Sequence, residues 1–220
     1  MSKIIVVGGG KGGVGKSTVT IAVVEMLRAR GDQVILVESD DSNPDAYKAL
    51  NTLTKCEICN IDTEAGYINL CNIIEGHKNA YIVLNTAARA TSGIVKHGGI
   101  LVDTARELKR DLVMLWPINR QRDSLELLAE FLDTSAGYAA TYVLKNTYFG
   151  EPSKFARYDN SKIRERVAGT VNFPELNDLL SDKLNDKRLA LSNAEGLTIA
   201  ERSVLQRYRN ATQDALGELI

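Results

Sequence analysis

The chain has 220 residues, of which 44% are hydrophobic and 25% charged, with a formal net charge of −1. That length suffices for one sizeable core and is short for two, so the expected organisation is a single domain over residues 1–220. The near-zero charge excludes a globally basic nucleic-acid binder and leaves only a local patch, such as Arg202, Arg207 and Arg209, for direct DNA contact.

The first element is a four-residue apolar run, Ile4 to Val7, which reads as a strand. It is too short for the apolar stretch of a signal peptide, and no run approaches the ~20 residues that cross a bilayer. The expected location is therefore the cytoplasm. Directly after this run comes Gly8-Gly9-Gly10-Lys11-Gly12-Gly13-Val14-Gly15-Lys16-Ser17-Thr18. A helical pattern from Ser17 to Ala29 follows, with Val19, Ala22, Val23, Met26 and Leu27 on one face and a stop at Gly31.

The loop satisfies G-x-x-x-x-G-K-[ST] with a strand before it and a helix after it, the context that a phosphate-binding loop requires. Its glycines let successive backbone N–H groups converge on phosphate oxygens, and the positive end of the following helix adds to the anion site. Lys16 is expected to reach the β and γ phosphates, Ser17 to ligate Mg²⁺, and Thr18 to hydrogen-bond the α phosphate. The loop's nucleotide contacts are assigned to Gly10, Lys11, Gly12, Gly13, Val14, Gly15, Lys16, Ser17 and Thr18.

Val34 to Glu38 reads as the second strand and opens into Ser39-Asp40-Asp41-Ser42-Asn43-Pro44-Asp45. Residues 40–43 read, from the residues alone, as a helix N-terminal cap. Cys56, Cys59 and Cys71, with His77 six residues on, raise a zinc site. Against it, Cys59 alternates with Ile58 and Ile61, Cys71 sits among Ile68, Leu70, Ile73 and Ile74, and a single Cys-x-x-Cys lacks its second pair. Core packing is the favoured reading of the cysteines.

Tyr81 to Leu84, Leu112 to Trp116, Thr141 to Leu144 and Thr170 to Phe173 continue the series of strands. A helix over Leu125 to Leu132, with Ser124 as its cap, lies between two of them. Strands alternating with helical patterns predict repeated βαβ units around a mostly parallel sheet. Because several strands are apolar throughout, helices should cover both faces, which makes a three-layer α/β sandwich. The last pattern, Thr198 to Leu219, places Val204, Leu205, Tyr208, Ala211, Ala215, Leu216 and Leu219 on one face. Its alanines and its acidic Asp214 and Glu218 favour docking on the domain over membrane contact.

Lys11-Gly12-Gly13-Val14-Gly15-Lys16-Ser17 resembles the deviant Walker A loop of the ParA/MinD family of P-loop ATPases, a SIMIBI-like fold. That resemblance implies an ATP-dependent homodimer in which Lys11 crosses the interface to the partner's nucleotide. Glu38 and Asp40 match the family's acidic-x-acidic pattern, with Asp40 the catalytic candidate beside Lys11 and Lys16. The strand from Tyr81 should end in an aspartate that holds the magnesium hydration shell, and here it ends in Asn85. The metal set implied is Ser17, Asp40 and, through water, Asn85. An asparagine supplies no charge, so slow hydrolysis, weak metal binding and compensation by Glu38 and Asp40 all stay open. Thr86-Ala87-Ala88 corresponds to switch II.

Asn146 matches the family's base-recognising asparagine, and Thr170-Val171-Asn172-Phe173-Pro174 the late strand and loop that line adenine; either asparagine also reads as a simple turn cap. Asn146-Thr147-Tyr148 lacks the lysine and aspartate of a guanine site, so ATP is expected. The segments 116–124 and 146–150 look most like the small ParA-type ATPases that plasmids encode for mobilisation, conjugative transfer or stability, of the StbB/TraL/MobD kind. The implied function is a weak ATPase switch with a plasmid-encoded partner, DNA-binding or a relaxosome adaptor. A metabolic ATP-dependent ligase and a nucleotide-sensing adaptor are the alternatives.

Overall fold

A computed structural model describes residues 2–135, 137–186 and 190–220. Its centre is a sheet of seven strands: β1 (Ile4–Val7), β2 (Val34–Glu38), β3 (Lys55–Ile58), β4 (Tyr81–Asn85), β5 (Leu112–Ile118), β6 (Ala140–Asn146) and β7 (Gly169–Phe173). Their order is β3-β2-β4-β1-β5-β6-β7, and every pairing is parallel. The expected three-layer α/β sandwich is therefore present. All the strands run in one direction, so all their carboxyl ends meet at one edge.

Alternation along β1 separates the two cores. Ile4 and Val6 face a cluster built on α3 (Glu64–Gly76), α4 (Thr91–Glu107) and α5 (Arg122–Thr134). Ile5 and Val7 face the other cluster, built on α1 (Lys16–Ala29) and α2 (Asp45–Leu50) together with the C-terminal helices. Trp116, stacked on Phe131 with ring centroids 4.6 Å apart, anchors the first core. Val19, Val23 and Leu27 of α1, all fully buried, anchor the second.

Beyond shifts of one or two residues at strand ends, the structure differs from the sequence reading in three places. The strand β3 was not expected as a separate element, because Lys55-Cys56-Glu57-Ile58 alternates charged and apolar residues at a sheet edge, with only one neighbour. The helix α5 begins at Arg122, with Gln121 at its cap position and no side-chain cap, so Ser124 is a buried helical residue and not the cap. Two short 3₁₀ turns (Thr147–Phe149 and Pro152–Phe155), the four-residue helix α6 (Ala156–Asp159) and a third 3₁₀ turn (Lys162–Arg166) fill the β6–β7 connection.

After β7 come α7 (Asp178–Asp186) and α8 (Ile199–Leu216). A capping box starts α8: Thr198 Oγ1 accepts from the Glu201 N–H, and the Glu201 carboxylate accepts from the Thr198 N–H. Leu205, Tyr208, Thr212 and Leu216 are its buried stripe, packed in the same cluster as α1. Arg30 donates to the Gly217 carbonyl (3.0 Å) and Lys3 to the Leu219 carbonyl (2.9 Å), fastening the end of the chain. Arg202 and Arg209 donate to the carbonyls of Leu197 and Leu191, so two of the three arginines considered for DNA contact serve the chain's own backbone. No helix among the described residues is long and apolar enough to cross a membrane.

The cysteines divide between the layers. Cys59 and Cys71 are buried in the first core, and Cys56 packs against the second. Burial raises all three thiols, Cys56 to about 11. His77 instead meets Lys55 at 3.0 Å, and no group of three or more His, Cys, Asp or Glu residues that could hold a metal stands together among the described residues.

Candidate functional site

The loop between β1 and α1 wraps the amino end of α1 at the carboxyl edge of the sheet. Its last glycine is the cap residue: Gly15 has φ 100°, and a Cβ there would stand 2.4 Å from Asn146 Nδ2. Glycine is thus required at position 15 twice, by backbone conformation and by the approach of β6. Gly13 also lies in the left-handed region, at φ 74°. A Cβ at Gly12 or Gly13 would meet nothing within 4 Å, so both glycines border open space.

That space is a cavity of about 470 Å³. Its walls bring together Gly12, Gly13, Gly15, Lys16, Ser17 and Thr18 from the loop, Asp40 after β2, Asn85 at the end of β4, Asn146 at the end of β6, and Phe173 and Pro174 from β7. Eleven positions named from sequence thus face one cavity of a size ordinary for a small-molecule site. Gly10, Lys11 and Val14 are not among its walls. Gly10 packs on Leu127, where a Cβ would stand 3.0 Å from its Cβ, and Val14 is buried. The structure adds Thr86, Tyr148, Glu175, Asp178 and Asp182 to the lining. The acidic trio runs from the approach to α7 (Glu175) through its first residue (Asp178) to its middle (Asp182), where no motif announced it.

Lys16 is almost fully buried and its ammonium donates to the Lys11 carbonyl at 2.9 Å, lying across its own loop. Burial lowers its pKa, while the charge of Asp40 acts in the opposite direction. A buried cation with no ion pair among the described residues, beside open space, is the feature a polyanion would relieve. The open cradle, the lysine and the hydroxyl-bearing Ser17 therefore fit a phosphate chain with its magnesium ion.

Lys11 points elsewhere. It forms an ion pair with Asp123 and a hydrogen bond with Gln121 at the start of α5. Asp123 is held below the usual carboxylate range, chiefly by the hydrogen bond from Lys11.

Behind the cavity wall the two strand ends are coupled. Asn85 donates from Nδ2 to both oxygens of Glu38, at 2.9 and 3.0 Å, and its Oδ1 accepts from Thr20 Oγ1 at 2.9 Å. Glu38 Oε1 also accepts the Asp40 N–H at 3.0 Å. Burial pushes the Glu38 carboxyl up to about 7, against the lowering effect of these hydrogen bonds. Asp40 accepts from Ser42 Oγ (2.6 Å) and the Asn43 N–H (3.2 Å), a local turn, whereas α2 has no side-chain cap. The helix-capping alternative for residues 40–43 is thereby corrected. In the segment matching switch II, the Ala87 N–H donates to Ser39 Oγ at 3.2 Å. Arg89 bridges Asp62 (2.8 Å) and Asp41 (3.1 Å), tying the segment after β4 to the segments after β3 and β2.

Asn146 is also committed to the protein. Its Nδ2 donates to the Val14 carbonyl at 2.9 Å and its Oδ1 accepts the Tyr148 N–H at 3.2 Å, so it fastens the phosphate loop to β6 and caps the following turn.

Comparison with known proteins gives three results. Residues 1–66 match the ParA family model, described as an NUBPL iron-transfer P-loop NTPase. The chain is 45% identical to the protein MobD of Acidithiobacillus ferrooxidans over 99% of its own length and 97% of that protein's. Among solved structures it resembles a plasmid partition protein of Borrelia burgdorferi B31 bound to AMPPNP (TM-score 0.59, 16% identity, all of both chains). It also resembles the septum site-determining protein MinD of Pyrococcus horikoshii complexed with Mg-ADP (TM-score 0.60, 14% identity, 97% of this chain and 96% of that one).

Proposed function

Because the chain belongs to the MobD family of ParA/MinD-type P-loop NTPases, we propose that it is an ATP-dependent dimerising switch with weak ATPase activity, working in plasmid mobilisation, partition or stability. The observation that carries the reading is the single cavity in which the phosphate loop, Asp40 and Asn85 meet Asn146, Phe173 and Pro174. Lys16 and the loop amides hold the β and γ phosphates, and Thr18 the α phosphate. Ser17, with Asp40 and Asn85 through water, would hold Mg²⁺, which supplies charge neutralisation along the phosphates. Asp40 orients the attacking water. Phe173, Pro174 and Asn146 bound the end of the cavity assigned to adenine.

Lys11 gives the switch its dimer dependence. In the single chain it rests on Asp123 and Gln121, both exposed contacts worth little in water. Reaching a second protomer's nucleotide exchanges this weak contact for a phosphate contact in a closed interface, which favours exchange only when ATP is present. Basal ATP turnover with no added metabolite, together with ATP-dependent self-association, tests the proposal. Turnover that appears only with a small-molecule co-substrate would instead support the metabolic ligase, and nucleotide binding without turnover the adaptor.

The partner is a plasmid-encoded protein, with direct DNA contact as a second arm. For that arm a groove of about 550 Å³ beside the start of α5 is better suited than α8. Arg120, Lys154 and Arg157 line it with Phe149, and none of these cations is in an ion pair among the described residues. The Arg120→Ala/Arg157→Ala variant should lose salt-dependent DNA binding by about tenfold or more. Unchanged binding would remove DNA from this groove.

A further inference from the structure

Glu38 and Asn85 face each other as Cα partners at the carboxyl ends of β2 and β4, 0% and 2% exposed. Asn85 reaches the cavity wall, whereas Glu38 does not. Glu38 lies one layer behind, where it accepts from Asn85 Nδ2 on both oxygens and from the Asp40 N–H on one. Thr20, fully buried on α1, donates to the remaining side-chain oxygen of Asn85. Every polar atom of the pair is therefore directed: a carboxylate on β2, an amide donor facing it on β4, and a hydroxyl donor behind the amide.

An aspartate at position 85 would break this order. It would place an acceptor oxygen where Nδ2 now stands, 2.9 and 3.0 Å from two carboxylate oxygens in a buried contact. The departure from the family's aspartate is thus not a simple loss of charge. We infer that the facing pair at the ends of β2 and β4 carries one carboxylate, Glu38, where the family pattern would place two, and that Glu38 is a positioning residue that fixes Asn85 and the Asp40 backbone for the metal's water shell. The positional half rests on the Mg-ATP reading above; the one-carboxylate arrangement does not.

Exchanging the two groups restores a donor–acceptor contact between positions 38 and 85 with its direction reversed. In a Glu38→Gln/Asn85→Asp protein, the Gln amide donates to the new carboxylate, its oxygen still accepts the Asp40 N–H, and Thr20 still donates to residue 85. Four proteins decide the matter: wild type, Asn85→Asp, Glu38→Gln and the double variant. Nucleotide-free thermal melting is read first, then ATP affinity with Mg²⁺ and with EDTA. Asn85→Asp should melt below wild type and bind Mg-ATP about tenfold more weakly, and the double variant should recover both. Glu38→Gln alone should stay folded, keep its affinity in EDTA and lose the gain that Mg²⁺ gives. An Asn85→Asp protein as stable and as tight as wild type, or a double variant no better than Asn85→Asp, would overturn the inference. Should wild-type affinity not depend on Mg²⁺, the Mg-ATP reading and the positional half fail together, while the melting cycle still decides the one-carboxylate pair.

Discussion

Lys16 and Lys11 stand five residues apart in one loop and do different work. Lys16 is buried, with its ammonium on the Lys11 carbonyl and open cavity beside it, whereas Lys11 is turned out towards α5. Replacing Lys16 by Ala should weaken Mg-ATP binding by about 10- to 100-fold, the range for loss of a charged hydrogen-bonding group. Titration with a fluorescent ATP analogue measures this, and an unchanged affinity would place the phosphates elsewhere. The loop and its placement between β1 and α1 were legible because the motif is contiguous and its neighbours in sequence supply its context. The contact between Glu38 and Asn85 was not legible, since it joins residues 47 apart that meet only through strand pairing. Asn146 reads for the base or as a turn cap; the cap, its bond from the Tyr148 N–H, is local, whereas its bond to Val14 depends on how β6 lies against the loop, which no local pattern encodes.

At the scale of elements, apolar runs marked six of the seven strands, because buried parallel strands are apolar on both faces. The edge strand β3 escaped, because it alternates charged and apolar residues and is fully buried on neither face. The start of α5 was misplaced by three residues because Asp123 and Ser124 look like cap residues, yet Asp123 serves Lys11 and Ser124 is buried. The helix α8 carries a cap that can be tested. The Glu201 carboxyl is held below the usual glutamate range, first by the Thr198 N–H and then by Lys183. A lowered folded pKa means that this contribution to stability is present above the ordinary value of about 4.3 and is lost as pH falls through the lowered one. Thr198→Ala should cost about 1 kcal/mol at neutral pH. Glu201→Gln should lower the melting temperature at pH 7 and cease to differ from wild type in acid. A deficit for Glu201→Gln that is the same at every pH would contradict the ionic part of the cap.

Across the whole molecule, the parallel sheet explains why residues spread from Gly12 to Pro174 share one cavity: the ends of β1, β2, β4, β6 and β7 lie along one edge. The fold class followed from the alternation of strand and helix patterns. What a single chain cannot display is the second protomer, and the proposed switch lives in that pairing. The Lys11 contact with Asp123 and Gln121 is the state from which closure would begin. The most direct measurement is sedimentation velocity of wild type and Lys11→Ala with ADP or with a saturating, slowly hydrolysed ATP analogue and Mg²⁺. The account predicts monomers in ADP, dimers of wild type with the analogue, and monomers of Lys11→Ala that still bind nucleotide. A Lys11→Ala protein that dimerises as fully as wild type would contradict it.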